Sequence, residues 1–421
     1  MNPLFSSLGF FPADILTPQN CDLSKWSVVA CDQYTSQPEY WQRVEEYVGD
    51  APSALRLILP ESKLGRADTQ QTIHQINATM EQYLKEGLFQ TWKDSLFYVE
   101  RWLDNGTLRR GLVGMVDLEQ YDYTPGSDAL IRATEGTVLS RIPPRVAVRR
   151  GAALELPHVL MLMDDGDKTV IEPLTLETGE MEQVYDFDLM ERGGHITGYK
   201  LNDEQMDYVA AQLAALARPE VFEAKYNAPG KAPMLFAIGD GNHSLASAKA
   251  SYEEKKGTPE GKLARYALVE LNNLHDESLT FEAIHRVCFD VEPDKLISAM
   301  LDYYPGSFLG EGEGQRIAFV TQNREEVITV PDAPSQLAVG TLQKFLDDYL
   351  PTVGGRVDYI HGEDVTYDLG RQPGNIGFLL LPMGKDELFS TVIFDGVLPR
   401  KTFSMGEAHD KRFYLEARRI R

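Results

Sequence analysis

The sequence predicts an α+β (mixed α/β) fold in which mixed sheets carry flanking helices. Two apolar segments, residues 96–103 and 108–118, surround an Asn-Gly pair, a combination typical of antiparallel strands joined by a tight turn. Residues 234–256 have a different pattern, that of a buried strand, a glycine turn and a helix. Because hairpins alternate with strand–helix units, the pattern favours α+β over a doubly wound parallel sheet.

Apolar periodicity and helix-ending residues predict the other elements in order. Residues 69–86 carry apolar side chains three and four positions apart and precede a glycine, which predicts an amphipathic helix. The further predictions are a strand at 157–163, a helix after Asn202, a strand at 266–272, a hairpin at 316–321 and 327–330, a helix at 342–350 and a buried strand at 375–381.

The pattern of predicted elements changes near residue 290. A chain of 421 residues is long enough for two or three domains. We predict a main α+β domain at 1–290, which carries the glycine turn, and a smaller C-terminal α/β region at 291–421. Residues 306–314, rich in glycine and glutamate, are interpreted as a lid or a linker.

The composition excludes several classes of function. With 41 basic and 64 acidic side chains, the net charge is −23, which opposes binding to nucleic acid and to anionic membranes. The 3 cysteines are odd in number and widely spaced, and the 8 histidines form no zinc-motif pair. Neither a signal peptide nor a long apolar segment is evident. We expect a cytoplasmic protein that binds a small molecule, and we leave open whether it forms a homo-oligomer.

The densest group of reactive side chains is the Gly-Asp-Gly-Asn-His-Ser segment at 239–244, where the predicted helix begins. The first N–H groups of a helix are unpaired and attract phosphate, and glycine lets a ligand approach the backbone. The predicted phosphate or cofactor ligands are Gly239, Gly241, Asn242 and Ser244. Asp240 and His243 are predicted to be catalytic, with Asp240 also a metal ligand. Alternatively, Ser244 caps the helix and His243 bonds a backbone carbonyl.

A second group lies at 131–141, where two arginines, a carboxylate and three hydroxyls occur together. Arg132 and Arg141 suit phosphate contacts, with Thr137 beside them, and Glu135 would accept a proton from a substrate hydroxyl. The alternative is a solvated loop with local salt bridges.

Three further residues are assigned to cofactor binding with structural alternatives of similar weight. His285 and Arg286 lie among apolar residues, where a structural histidine is the more common finding. Lys401 suits phosphate, but a basic edge strand explains it equally well.

Asp32 follows a short apolar segment, which is typical either of a site residue or of a turn.

These segments, in this order, resemble the domain-of-unknown-function 1015 family over nearly the whole chain. The family usually has Ile-Arg-Pro-His-Glu-Lys-Thr and Ala-Asp-Gly-His-His-Arg. Here the two motifs are Ile-Arg-Ala-Thr-Glu-Gly-Thr at 131–137 and Gly-Asp-Gly-Asn-His-Ser at 239–244. The matching positions are Arg132, Glu135, Thr137, Asp240, Gly241 and His243. The first motif has lost its His and Lys, and Ser244 replaces the Arg of the second.

The Asp-Gly-x-His loop also resembles that of the ParB/sulfiredoxin superfamily, some members of which are free-serine kinases that use a nucleotide. The resemblance implies a ParB/sulfiredoxin-like strand–loop–helix core with nucleotide phosphates at the helix start. Asp240 or Glu135 would then activate an acceptor hydroxyl. In place of the missing arginine, Arg132, Arg141, Lys401 or Mg²⁺ would neutralise the transferred charge.

The leading interpretation is a phosphotransferase that uses ATP or ADP with Mg²⁺ and acts on a small hydroxylated metabolite. Phosphoryl transfer needs mainly positioning and charge neutralisation, which these residue types supply. The alternatives are a nucleotide- or metabolite-sensing protein without turnover and a slow nucleotide phosphohydrolase. The sequence therefore leaves open whether the protein is an enzyme.

Overall fold

The computed structural model describes residues 2–64 and 66–421. The chain forms two compact units, the first made of Met1–Leu279 and Gly406–Arg421 and the second of Thr280–Met405. This division differs from the one expected near residue 290, because the last residues return to the first unit. They pair there with strands far away in sequence, and such pairing leaves no local signal.

The helices of both units, in chain order, are α1 Phe5–Leu8, α2 Leu23–Trp26, α3 Pro38–Val48, α4 Thr69–Lys85, α5 Ile142–Arg150, α6 Asp203–Leu216, α7 Pro219–Tyr226, α8 Asn242–Lys255, α9 Gly261–Ala264, α10 Pro293–Tyr303, α11 Ala338–Val353, α12 Glu363–Gly370 and α13 Lys385–Asp395. Among the described residues, no helix is long and apolar enough to span a membrane.

The strands of the first unit are β1 Phe10–Phe11, β2 Ala13–Pro18, β3 Val28–Val29, β4 Phe89–Ser95, β5 Phe97–Trp102, β6 Leu108–Asp117, β7 Tyr121–Asp122, β8 Ile131–Ala133, β9 Leu154–Glu155, β10 Leu160–Met163, β11 Glu182–Leu189, β12 Gly194–Lys200, β13 Phe236–Asp240 and β14 Tyr266–Asn273. The second unit adds β15 Phe281–Phe289, β16 Phe308–Leu309, β17 Gln315–Val320, β18 Glu325–Val330, β19 Arg356–His361, β20 Ile376–Leu379 and β21 Phe403–Met405. The chain ends, back in the first unit, with β22 Phe413–Tyr414 and β23 Arg418–Arg419.

The first unit is built on a mixed sheet in the order β11-β12-β5-β6-β14-β10-β13-β8-β7, with β1 beside β6. Successive strand residues point to opposite faces, and both faces are apolar. On one face, Phe97 and Val99 pack in a cluster with Ile76 and Met80 of α4. The opposite face includes Tyr98 and is covered by apolar residues of α6 and α8. The fold is therefore mixed α/β with flanking helices, as predicted.

Strand direction determines which side chains meet at the edge of this sheet. β13 runs antiparallel to β10, so that Asp240 at the end of β13 lies opposite Leu160 at the start of β10. β8 runs parallel to β13. The segment before β10, the end of β13 and the loop after β8 consequently lie at one end of the sheet. At the other end, Met163 pairs with Asn273 of the parallel strand β14.

Several predicted elements are confirmed. The Asn-Gly pair joins β5 to β6 as an antiparallel hairpin, and α4 occupies the predicted amphipathic segment. The helix predicted after Asn202 is α6, which begins with a capping box between Asn202 and Gln205. In the second unit, β17 and β18 form the predicted hairpin. The Gly- and Glu-rich loop contains the short strand β16, which pairs with β18.

Candidate functional site

The predicted strand, turn and helix at 234–256 are confirmed as β13, Gly241 and α8. Gly241 has φ +81°, a backbone conformation that glycine adopts at little cost. A Cβ there would lie 3.0 Å from Cγ2 and 3.1 Å from Cα of Val159. At Gly239, a Cβ would lie 2.8 Å from Cδ1 of Leu162. The space beside Gly239, expected to admit a ligand, is therefore filled by Leu162.

The N–H groups that begin α8 precede its hydrogen-bond ladder. Leu245 N–H donates to Gly241 O at 3.0 Å, the first bond of that helix. The N–H groups of Asn242, His243 and Ser244 come before it, and Gly241 at the N-cap has no side chain with which to cap them. The start of α8 therefore presents backbone donors and the positive end of the helix dipole.

The loop after β8 is bound to the start of α8. Thr134 N–H donates to Asn242 Oδ1 at 3.2 Å, and Thr134 Oγ1 donates to Ile238 O at 2.6 Å. Val138 N–H donates to His243 Nε2 at 3.2 Å. Asn242 is buried and thus fixes the loop, and His243 accepts from a backbone N–H where a bond to a carbonyl was the alternative expected.

These bonds hold the segment of Glu135 and Thr137 against the start of α8, as the sequence motifs suggested. Thr137 Oγ1 is buried and has no hydrogen-bond partner among the residues that the structure describes. A buried hydroxyl without a partner is costly, and a ligand oxygen would satisfy it. Glu135 lies in the same segment, within three residues of Val138.

Burial lowers the pKa of His243, and the charges of Arg145 and then Arg141 lower it further. Its neutral imidazole suits the acceptor role toward Val138. The same interactions show that Arg141 and Arg145 direct positive charge toward the start of α8. Arg145 also forms an ion pair with Glu61, and Arg141 is exposed.

The Ser244 hydroxyl reaches away from its own helix. Ser244 Oγ lies 3.0 Å from His158 Nε2, and His158 Nδ1 lies 2.7 Å from the Tyr414 hydroxyl. Asp32 Oδ2 is 3.8 Å from the same His158 Nε2. Sequence reasoning missed His158 and Tyr414, because they reach Ser244 through the β10–β13 pairing and the C-terminal return.

The carboxylate of Asp240 meets a lysine that the sequence also did not indicate. Asp240 Oδ1 accepts from Gly241 N–H at 2.9 Å, and Asp240 Oδ2 lies 3.3 Å from Lys411 Nζ. Two buried arginines hold the backbone of the lysine segment. Arg101 donates to the carbonyls of residues 409, 410 and 411, and Arg109 donates to that of residue 410. Lys411 is thus fixed beside the glycine turn.

Asp32 remains ionised in this setting. Burial raises its pKa, but the charge that His158 has when protonated, the hydrogen bond from Gln33 and the charge of Lys411 together bring the pKa below its ordinary value. The Cys31 thiol next to it is different, because burial and the Asp32 charge raise its pKa to about 12. Asp32 therefore carries a negative charge, and Cys31 stays a protonated thiol. We call Asp32, His158, Asp240, Ser244 and Lys411 the α8 site.

Other predicted site residues have different surroundings. Arg132 is buried, and it donates to the carbonyls of Ala129 and Ala232 at 2.8 Å each. Because its guanidinium is bound to backbone carbonyls, Arg132 is not part of the α8 site. The corresponding phosphate contact was expected because a buried structural arginine and a phosphate-binding one look alike in sequence.

His285, Arg286 and Lys401 belong to the second unit. Leu380 N–H donates to His285 Nδ1 at 3.1 Å, which fits the structural alternative. Arg286 is buried and donates to Lys401 O and Arg400 O at 2.8 Å each. There Lys401 contributes its backbone carbonyl to the arginine. The Arg286 side chain and the Lys401 carbonyl therefore serve local structure, and the role of His285, Arg286 and Lys401 in cofactor binding stays a prediction.

The side chains of the α8 site do not by themselves form a metal centre. Among the described residues, no group of three or more His, Cys, Asp or Glu side chains is arranged to hold a metal. Mg²⁺ in phosphate-transfer sites usually takes one or two carboxylates together with phosphate oxygens and water. Asp240 has a carboxylate next to the helix start, but its oxygens already contact Gly241 N–H and Lys411 Nζ, and its role as a metal ligand stays a prediction.

A family model described as "Protein of unknown function (DUF1015)" matches residues 13–349. No curated protein matches the chain in a sequence search. Solved structures that it resembles include a conserved hypothetical protein from Pyrococcus furiosus, with 12% identity, 73% of this chain and 94% of that chain covered, and a TM-score of 0.36.

Two further solved structures have similar values. A free serine kinase in complex with AMP has 11% identity, with 72% of this chain and 90% of that one covered, and a TM-score of 0.38. SbnI from Staphylococcus aureus, with a C-terminal truncation, has 9% identity, 70% and 82% covered, and a TM-score of 0.37. These TM-scores are low, and the assignment to a family rests on the sequence match.

Proposed function

We propose that this chain, which belongs to the DUF1015 family, is a phosphotransferase that moves a phosphoryl group from ATP or ADP to a small hydroxylated metabolite. One observation carries the proposal. The uncapped start of α8, the ammonium of Lys411 and the carboxylates of Asp32 and Asp240 come together at one end of the sheet. Anion binding and proton acceptance are the two tasks that phosphoryl transfer requires of a protein.

The phosphates would bind at the start of α8. The N–H groups of Asn242, His243 and Ser244 provide directional donors, and the helix dipole favours negative charge there. Lys411 adds a full positive charge beside them, and Arg145 with Arg141 extends the positive field. These groups are held before a ligand arrives, because Lys411 lies on a segment fixed by buried arginines. Prior positioning of this kind favours the transition state.

Asp32 is our choice for the group that accepts the proton of the acceptor hydroxyl. Its carboxylate stays ionised, and although Oδ1 accepts from Gln33, Oδ2 lies 3.8 Å from His158 Nε2, beyond hydrogen-bond distance. Both oxygens of Asp240, by contrast, already interact with Gly241 N–H and Lys411 Nζ. To hold Mg²⁺ with phosphate oxygens, Asp240 would exchange its contact with Lys411 Nζ for the ion, which would neutralise charge on the transferred group. Glu135, expected as a base from its motif, remains a second candidate on the loop bound to His243.

The size of the adjoining cavity favours a small acceptor. Ser244 and His158 line a cavity of about 170 Å³, and its remaining wall is largely apolar. The apolar lining residues include Leu57, Met80, Val148, Leu245 and Ala248. Drug-sized ligands usually occupy about 300–1,000 Å³. An acceptor of a few carbon atoms with one hydroxyl group fits this volume.

Phosphorus NMR tests the proposal. The full chain would be incubated with ATP or ADP, Mg²⁺ and a pool of small hydroxylated metabolites that includes free serine. We expect a new phosphomonoester signal that depends on the acceptor and is lost with Asp32→Asn. Asp104→Asn is the matched control, since Asp104 forms an exposed ion pair with Arg192 at the β5–β6 turn.

Other outcomes would contradict the phosphotransferase. Nucleotide that binds without any product would indicate a sensor. Inorganic phosphate released at the same rate with and without acceptors would indicate a slow phosphohydrolase. Equal product formation by wild type and Asp32→Asn would remove Asp32 from the chemistry and return attention to Glu135.

A further inference from the structure

We propose that Ser244 is a nucleophile that first takes the phosphoryl group itself, so that transfer proceeds through a phosphoserine on α8. This inference rests on the proposed function for the identity of the donor, ATP or ADP, and the step below is written for ATP, a nucleoside triphosphate. It adds a covalent intermediate and assigns roles to His158 and Tyr414, which a direct transfer to the acceptor would not need.

The geometry is that of an activated hydroxyl. Ser244 Oγ lies 3.0 Å from His158 Nε2, within hydrogen-bond reach of a base. His158 Nδ1 is in turn 2.7 Å from the Tyr414 hydroxyl, which also accepts from Cys31 N–H at 3.2 Å. When His158 carries its proton on Nδ1, it donates to Tyr414 and presents a lone pair to Ser244. A nucleophile, a base and a group that orients the base are thus present in order.

A carboxylate stands where positive charge would develop. Asp32 Oδ2 is 3.8 Å from His158 Nε2. When His158 takes the serine proton it becomes an imidazolium, and the Asp32 charge stabilises that form. Tyr414 is buried and fixed on β22, which pairs with β3 just before Cys31. The imidazole therefore has little freedom to turn away from Ser244.

The Ser244 hydroxyl is more exposed than that of Ser247, its neighbour one turn along α8, although both serines line the same cavity. Ser244 is partly exposed and lines the cavity of about 170 Å³, together with His158. Ser247 is buried, and its Oγ donates to His243 O at 2.7 Å, an ordinary bond within the helix. The bond of Ser244 to a histidine on another segment does not serve the helix in that way. Ser247 is therefore a matched control.

The phosphoryl group moves first to Ser244 and then to the acceptor. A bond forms between Ser244 Oγ and the γ-phosphorus of the nucleoside triphosphate, and the bond from that phosphorus to its bridging oxygen breaks. The nucleoside diphosphate leaves, and the serine proton moves to His158 Nε2. In the second step the acceptor hydroxyl attacks the phosphoserine phosphorus. Its proton moves to Asp32, while Ser244 Oγ leaves and takes back the proton from His158.

Mass spectrometry of the full chain tests the inference. After incubation with ATP and Mg²⁺ without acceptor, we expect one added phosphoryl group on Ser244, stable in acid as a serine ester is. Ser244→Ala should abolish it and Ser247→Ala should retain it. His158→Gln should slow labelling by about 10²-fold, the lower range for loss of a general base.

Tyr414→Phe tests a positioning role. It should slow labelling while ATP affinity, measured by calorimetry, stays unchanged. A merely structural hydroxyl would leave the rate as it is. As a second probe that needs no nucleotide site, diisopropyl fluorophosphate should modify Ser244 with loss of fluoride, and not Ser247.

The outcomes separate this inference from the proposed function. Product formation that persists in Ser244→Ala, without labelling of wild type, would overturn the phosphoserine and leave the phosphotransferase standing. Modification of Ser244 by the fluorophosphate in a protein that binds no ATP would support the nucleophile and overturn the proposed donor. An acid-labile label would indicate a histidine phosphate and would contradict the assignment to Ser244.

Discussion

The large sheet of the first unit carries an acid, a histidine and a lysine at each of its two ends, and the two groups have different surroundings. At one end is the α8 site. At the other end, after β10 and β14, Asp164 meets Lys225, Tyr226 and His275, which we call the Asp164 cluster. Asp164 Oδ1 is 2.6 Å from His275 Nε2 and 2.8 Å from Lys225 Nζ, and Asp164 Oδ2 accepts from the Tyr226 hydroxyl at 2.5 Å.

The two ends differ in what lies beside their charged side chains. In the Asp164 cluster one carboxylate binds three side chains, and the neighbouring Asp165 accepts from Thr169 N–H and Val170 N–H. The charges of that cluster are therefore paired with one another, as those of Asp240 and Lys411 are at the α8 site. The α8 site adds an uncapped helix start and a cavity to similar residue types. The difference shows that residue types alone do not define a site, since backbone donors and space must be present as well.

The largest expected effect separates the two carboxylates. Asp32→Asn should lower kcat of the proposed transfer by about 10²–10³-fold while the fold is retained, because an amide cannot accept the proton. Asp164→Asn should leave kcat near that of wild type and lower the free energy of unfolding by about 3 kcal/mol, since partners of a mostly buried charge would be lost. Steady-state kinetics and urea unfolding measure the two effects. The reverse pattern would place the chemistry at the Asp164 cluster.

The two lysines give the next effect. Lys411→Met should weaken ATP binding by about 10–100-fold, the loss expected when one charged hydrogen bond to phosphate is removed. Lys225→Met should leave the affinity unchanged, because that ammonium is held by Asp164. Isothermal titration calorimetry with Mg²⁺ present compares them. Equal losses in both variants would show that the affinity comes from general charge and not from the α8 site.

A smaller effect is expected from the glycine turn. Gly241→Ala and Gly257→Ala both place a Cβ at a positive φ, +81° and +86°, which costs about 1–2 kcal/mol. Only at Gly241 would the new methyl press on Val159, since nothing lies within 4 Å of a Cβ at Gly257. Gly241→Ala should therefore destabilise more in urea and also weaken ATP binding. A nucleotide affinity equal to that of Gly257→Ala would remove the turn from the phosphate site.

The smallest effect is a dependence of stability on pH. The pKa of His243 is lowered from 6.5, chiefly by burial, so the unfolded chain binds the proton more readily and stability falls as the pH drops below 6.5. His195 is the opposite case, because the hydrogen bond to Asp188 raises its pKa. Its contribution is present below 6.5 and is lost as the pH rises through the folded pKa. His243→Gln should flatten the acid side of the profile in urea unfolding, and His195→Gln should not.

Local chemistry explains how much of the site could be predicted from the sequence. The strand, turn and helix around Gly241 follow from short-range preferences, and the sequence predicted all three correctly. Sequence motifs also indicated that the loop of Glu135 and Thr137 accompanies the turn. The loop and the turn lie close together because they follow β8 and β13, which are neighbouring parallel strands.

Lys411, His158 and Tyr414 could not be predicted, because their position depends on pairing between distant segments. His158 reaches the helix start only because β10 lies antiparallel to β13, and Lys411 because Arg101 and Arg109 bind the carbonyls of the C-terminal return. The sequence equally could not separate a guanidinium bound to carbonyls, as in Arg132 and Arg286, from one free to bind phosphate. The two kinds of arginine differ in partners and not in sequence pattern.

Hydrogen–deuterium exchange with ADP and with adenosine tests the central claim, that phosphate binds at the start of α8, most directly. The two ligands differ only in the phosphates, so each serves as a control for the other. We predict that ADP slows exchange of the N–H groups of Asn242, His243 and Ser244 in the full chain, that adenosine does not, and that peptides of the Asp164 cluster are unaffected by either. Equal protection by both ligands, or protection confined to the Asp164 cluster, would contradict the account.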